Sequence, residues 1–259
     1  MAHITETSLR AMLGRGRLLP DPFPIGTGDK LTPAAADFLK QRNIAIRRSE
    51  RGSLDDHSRI PVGVSNRHVH LAPRHVEALF GVRYELQPRR ELSQKGQFAA
   101  RETVALVGPK GEIPEVRILG PARGETQVEI SRTDGYRLGV QPPVRLSGDI
   151  RGTPGITLIG TAGTVVLSEG LIVARNHLHL SPEEAKRLQV AQGDRLMLRT
   201  TGDRPVIFAE VIARVNPRFS LDFHIDTDEA NSSFLNNGDN VTLIGVNGKL
   251  RDSAWGEPS

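Results

Sequence analysis

The chain has 259 residues, 37% hydrophobic and 25% charged, which is the composition of an ordinary soluble globular protein with enough length for two small domains. Only 4% is aromatic, which argues against a base-stacking nucleic-acid platform, and 34 Lys+Arg against 30 Asp+Glu is a small excess that suits a phosphorylated small molecule without singling out nucleic acid. Cysteine is absent, so disulfides, thiolate metal sites and a cysteine nucleophile are excluded.

Residues 1–58 read as an N-terminal helical extension and linker. Ile4, Leu9, Met12 and Leu13 fall roughly on one helical stripe. A short basic stretch, Gly14-Arg15-Gly16-Arg17, and a Gly/Pro-rich segment through Pro20, Pro22, Pro24 and Gly28 follow. Thr32-Pro33 is an N-cap and first-position pair that opens a second helix through Ala35, Phe38 and Leu39. The polar tract from Arg47 to Arg59 reads as a linker.

From Ile60 the pattern changes to short β-runs punctuated by Gly and Pro. They include Val62–Val64, Val104–Val107, Val116–Leu119, Gln127–Ile130, Gly163–Val173, Arg195–Leu198, Ile207–Val215 and Val241–Ile244. Helices are expected only near Pro73–Leu79 and Pro182–Leu188. The class is mainly β: two tandem small β-barrel domains, 59–155 and 156–248, capped by short α-helices, with a C-terminal tail at 249–259. No apolar run approaches a membrane span and the N-terminus lacks a secretory apolar region, so no membrane partner is expected and the expected location is cytoplasmic.

One unit occurs twice. Arg67-His68-Val69-His70-Leu71-Ala72-Pro73 is echoed by Asn176-His177-Leu178-His179-Leu180-Ser181-Pro182. On a strand, an HxH pair puts both imidazoles on one face, and the following Ala/Ser-Pro suits a helix start. A single pair also fits two hydrogen-bonded surface histidines, but a repeated pair points to metal. His224, in the β-like run Asp222–Asp226, is the natural third ligand for the second pair. Glu129 is a candidate third ligand for the first, with a solvent-facing glutamate as the alternative. Imidazole with carboxylate suits zinc, although cobalt, nickel or iron would also fit. Arg123, in the loop Gly120-Pro121-Ala122-Arg123-Gly124, could fork onto phosphate, with a solvated loop arginine as the alternative. His3, His57 and His75 read as incidental. There is no P-loop, Rossmann glycine fingerprint or G-x-S-x-G elbow.

Several motifs, in this order, resemble the PduL-type phosphate acyltransferases, also called phosphate propanoyltransferases. They are Ser65–Leu71, Gly120–Arg123, Gln127–Ser131, Arg175–Leu180 and His224–Asn231, and the resemblance covers about residues 60–246. It implies two β-barrels with a dinuclear zinc site between them. It also implies a reversible reaction of acyl-CoA (propanoyl-CoA or acetyl-CoA) and phosphate giving acyl phosphate and CoA. Mapped by motif, His68, His70 and Glu129 would hold one zinc and His177, His179 and His224 the other, with Arg123 as catalytic, phosphate-binding arginine. The resemblance further favours a homodimer or larger homo-oligomer. It suggests that Ile4–Leu13 is an encapsulation helix for the shell of a bacterial microcompartment, with a helix docked on its own barrel as the alternative. A zinc-dependent thioester hydrolase and a non-catalytic assembly module are the competing functions.

Overall fold

A computed structural model describes residues 3–13, 19, 21–26, 30–49, 59–92, 94 and 96–251. The Gly14–Arg17 stretch, Pro20, Gly28, His57 and positions 252–259 of the C-terminal tail lie outside the described residues. Two compact units, Met1–Ser58 and Arg59–Ser259, make up the chain.

The N-terminal unit contains β1 (His3–Ile4), α1 (Glu6–Leu13), β2 (Phe23–Gly26), β3 (Lys30–Leu31), α2 (Pro33–Lys40) and β4 (Ile46–Ser49). β1 pairs parallel with β3, and β2 with β4, so the unit consists of two strand–helix–strand passes. Arg47–Ser49, expected as linker, are therefore part of a strand. Thr32 Oγ1 accepts from Ala35 N at 3.3 Å and caps α2, with Pro33 in its first turn. Leu9 is buried with Phe23, Ile25, Ala35, Phe38 and Leu39, and Ile4 and Leu13 pack against this cluster. The apolar stripe of α1 thus faces a core of its own unit. The Met12 side chain lies outside the described residues.

In chain order the second unit contains β5 (Arg59–Ser65), β6 (His68–His70), α3 (Pro73–Phe80), β7 (Pro88–Glu91), β8 (Phe98–Val107), β9 (Glu112–Gly120), β10 (Gln127–Glu129), α4 (Arg132–Leu138), β11 (Val144–Arg145) and β12 (Thr157–Ile159). It continues with β13 (Thr164–Val166), β14 (Leu171–Ala174), β15 (His177–Leu180), α5 (Pro182–Leu188), β16 (Arg195–Arg199), β17 (Ile207–Val215), β18 (Asp222–Asp226), α6 (Thr227–Ser233), β19 (Asn240–Val246) and β20 (Lys249–Leu250). The expected single run from Gly163 to Val173 is broken into β13 and β14. Lys249 and Leu250, expected in the tail, form a strand on β19.

The protein is mainly β, with two barrel-like sheets. In one, β16, β17, β15, β18, β5 and β19 are joined in that order and β19 pairs back onto β16, closing a six-stranded barrel. The other is a curled half-barrel in the order β11-β14-β10-β6-β9-β8-β12-β13, with β7 on β8. Each has its own core: Val69, Leu106, Ile118, Val128, Leu158 and Leu171 in the half-barrel, and Ile60, Leu178, Leu196, Val211, Phe223 and Val241 in the closed barrel.

Sheet membership does not follow a boundary at 155/156. β5 lies between β18 and β19 in the closed barrel, while β12, β13 and β14 belong to the half-barrel. The chain therefore passes from the closed barrel to the half-barrel at Asn66-Arg67, and back at Arg175-Asn176. Each histidine pair starts the strand immediately after such a passage.

Candidate metal centre

Strand alternation accounts for the first layer of the site. Val69 faces the half-barrel core while His68 and His70 point the other way; Leu178 and Leu180 face the barrel core while His177 and His179 point away from it. Antiparallel pairing then sets Glu129 opposite His68 and His224 opposite His177. As a result, one potential ligand atom from each of His68, His70 and Glu129 lies within 4.8 Å of the others, and the same holds for His177, His179 and His224. All six sequence-derived ligand candidates are thus gathered into two clusters that line one cavity of about 1010 Å³, together with Arg123.

The ring nitrogens fit metal ligation. His68 Nδ1 lies 2.9 Å from the Asn66 carbonyl and His177 Nδ1 lies 2.8 Å from the Arg175 carbonyl. A carbonyl only accepts, so both rings carry their proton on Nδ1 and leave the Nε2 lone pair free. His68 Nε2 stands 3.5 Å from Glu129 Oε2. The Nε2 atoms of His179 and His224 are buried and make no hydrogen bond; Asp222 Oδ2 lies 3.0 Å from the latter without hydrogen-bond alignment. Buried ring nitrogens that cluster without hydrogen-bond partners are what a divalent cation would satisfy.

The electrostatics agree. Burial, then neighbouring charges, hold His70 down to about 3, His177 to about 4 and His179 to about 2. They are neutral imidazoles at physiological pH, the form that binds metal. His68 is pressed down by burial, but the adjacent Glu129 carboxylate outweighs this and raises it. Burial pushes Glu129 upward, and the facing histidines, His68 above all, more than reverse that and keep it ionised.

Glu129 is also fixed from behind. Gln127 Nε2 donates to Glu129 Oε1 at 2.5 Å and to Ser147 Oγ at 2.9 Å, while Gln127 Oε1 accepts from Gly148 N at 2.7 Å. Oε1 is thereby engaged and Oε2 faces the histidines. Arg123 follows the cis Gly120–Pro121 peptide, and its loop is pinned by Arg123 N donating to the Leu71 carbonyl at 2.9 Å. A Cβ at Gly120 would meet the Phe98 ring at 2.4 Å, so the ring would have to shift to admit one. The Arg123 guanidinium reaches Ser147 Oγ at 3.4 Å. Arg214, on β17 in register with His179, lines the same cavity. Burial lowers both arginines from the usual guanidinium range, and the Glu129 carboxylate opposes this for both.

The chain matches the profile of phosphate propanoyltransferase over residues 61–236. It is 55% identical over 186 residues to a Thermotoga maritima protein named phosphate propanoyltransferase, covering 71% of this chain and 89% of that one. Similar proteins of the same name occur in Priestia megaterium (51% over 184 residues, 71% and 85% covered) and Rhodopseudomonas palustris (45% over 188 residues, 73% and 83% covered). The chain belongs to the phosphate propanoyltransferase family.

The matched residues of this family member contain both clusters, Arg123 and Arg214. They also contain two helices that sequence reasoning missed, α4 and α6. Each opens with a capping box: Ser131 with Asp134, and Asp226 with Glu229. The residue ahead of each histidine pair ties onto the box. Arg67 forms two contacts with Asp134, at 2.8 and 2.9 Å, and Asn176 Nδ2 donates to Glu229 Oε1 at 2.6 Å. Thr133 N donates to Asp228 Oδ2 at 2.8 Å and joins the two helix starts. His75, read as incidental, bonds Thr126 Oγ1 at 2.7 Å and stands apart from both clusters. No helix among the described residues is long and apolar enough to cross a membrane.

Proposed function

We propose that this protein is a phosphate acyltransferase that interconverts a short-chain acyl-CoA (propanoyl-CoA or acetyl-CoA) and phosphate with acyl phosphate and CoA, by direct transfer. The observation that carries the reading is the pair of three-ligand clusters sharing one cavity with two arginines, in a chain of this family. His68, His70 and Glu129 would hold one zinc or other divalent ion, and His177, His179 and His224 a second. When bound, such ions act as Lewis acids toward a thioester carbonyl or a departing thiolate.

The chain's own residues supply the rest. Arg123 binds phosphate with a charge-assisted fork and holds it in line, and Arg214, which lines the same cavity, offsets the second negative charge. Phosphate oxygen forms a bond to the acyl carbon while the carbon–sulfur bond breaks and CoA leaves as thiolate. No acyl-enzyme is needed, consistent with the absence of cysteine. Propanoyl and acetyl groups differ by one methylene, worth about 1–3 kcal/mol in a pocket, so both chains belong to the reading.

The same reading places the protein in the cytoplasm, inside a microcompartment, as a homo-oligomer. The N-terminal unit would meet the shell through its outer surface, because Leu9 of α1 is buried in that unit's own core. Incubation with propanoyl-CoA, phosphate and hydroxylamine tests the reaction. Propanoyl hydroxamate should form faster with phosphate than in the background reaction of the thioester with hydroxylamine; no increase over that background would contradict the transfer.

A further inference from the structure

The orienting partners of the clustered histidines are not all alike. His68 and His177 each use the carbonyl two residues earlier. His70 faces the Leu119 backbone on the neighbouring β9. His224 Nδ1 lies 3.4 Å from Ser65 Oγ. His179 holds the place in the second pair that His70 holds in the first, but its Nδ1 lies 2.5 Å from the side-chain amide of Gln94. Gln94 belongs to the segment between β7 and β8 of the half-barrel, whereas His179 is on β15 of the closed barrel. Gln97 in turn stands 2.9 Å from the other amide atom of Gln94.

Two hydrogen-bond arrangements use these same positions, related by half-turns of the amides. If the Gln94 NH₂ donates to Nδ1, the ring proton of a neutral His179 sits on Nε2, a buried atom with no acceptor. If Nδ1–H donates to the Gln94 oxygen, the ring proton is paired and the Nε2 lone pair is directed at the cluster with His177 and His224. The second arrangement leaves no proton on the buried Nε2.

We propose that Gln94 is a positioning residue for the second cluster: its amide oxygen accepts the Nδ1–H of His179, so a loop of the half-barrel sets the ligand geometry of a site in the closed barrel. The proposal deepens the metal reading and rests on it. Gln94 does with a side chain what the Asn66 and Arg175 carbonyls do for His68 and His177, and Gln97 backs it as an amide-to-amide link. Partners that fix the tautomer of a ligating histidine typically change metal affinity by about 10–100-fold.

The test uses the full chain as wild type, Gln94→Leu and Gln94→Glu, with zinc titrated against a competing chelator and ¹⁵N-histidine NMR spectra of the same samples. In metal-free wild type, His179 should be the Nδ1–H tautomer; the Nε2–H tautomer would overturn the proposal without touching the metal reading. Gln94→Leu should weaken one of two zinc sites by about 10–100-fold and leave the other unchanged. Gln94→Glu, which keeps an oxygen acceptor, should recover most of that loss. Wild-type affinity at both sites in Gln94→Leu, or no recovery in Gln94→Glu, would overturn it. The melting temperature of the metal-free protein should not change, because Gln94 is a loop residue outside both cores; a drop there with unchanged zinc affinity would assign Gln94 a structural role instead. Failure of wild type to bind zinc would overturn the metal reading and this proposal with it.

Discussion

Glu129 and His224 occupy equivalent places in the two halves of the site. Glu129 stands opposite His68 across an antiparallel pair, and His224 stands opposite His177. Each precedes by two positions the residue that caps the next helix, Ser131 or Asp226. The duplication therefore extends from the histidine pair to the third candidate ligand and the helix behind it, with a carboxylate in one copy and an imidazole in the other.

This equivalence predicts separable losses. Glu129→Ala should lower metal content from about two to about one per chain, His224→Ala should do the same, and the double variant should hold none, as read by elemental analysis. Glu129→Ala should also cost about 1–3 kcal/mol in stability, because the buried Gln127 amide loses an acceptor.

Arg123→Ala should lower kcat/KM for phosphate by about 10²–10³, the cost of removing one preorganised donor, with metal content unchanged. Arg214→Ala should behave in the same direction. Steady-state kinetics with varied phosphate at saturating acyl-CoA provide the measurement, and an unchanged phosphate dependence in both variants would remove the arginines from the mechanism.

The ties onto the capping boxes are unequal in strength. Arg67→Ala leaves the buried Asp134 carboxylate without its cation and should cost about 3 kcal/mol. Asn176→Ala removes a single hydrogen bond to Glu229 and should cost about 1.5 kcal/mol. Urea unfolding of the two variants should preserve this order.

The metal-free protein should lose stability in mild acid. Its buried His70, His177 and His179 stay neutral well below the usual imidazole value of 6.5, whereas the unfolded chain takes up protons there. Their contribution is fully present above about 6.5 and is lost as the pH falls toward the folded values of about 4 to 2; His68, raised by Glu129, opposes it in part. Thermal unfolding in chelator should show a falling melting temperature from pH 7 to 4.5, and a flat profile would contradict the burial argument.

The histidine pairs were legible because a strand shows its period-two pattern locally, and β-class and the first helices followed from Pro, Gly and capping signals. Arg214 was not, because it reads as one more polar residue in Ile207–Val215 and reaches the cavity only through the parallel pairing of β17 with β15. Gln94 likewise acts across two sheets, and no local pattern announces that. Helices α4 and α6 are short and polar, so apolar periodicity misses them, although Ser131-x-x-Asp134 and Asp226-x-x-Glu229 were available as signals. The exchange of β5 into the closed barrel is invisible for the same reason as Arg214: strand partners are chosen by long-range packing, not by the strand's own residues.

The most direct test of the central claim is CoA release from propanoyl-CoA, measured with and without phosphate, before and after metal stripping and zinc restoration. The account predicts release that requires phosphate, is lost on stripping and returns with zinc. Phosphate-independent release, or undiminished release from fully stripped protein, would contradict it.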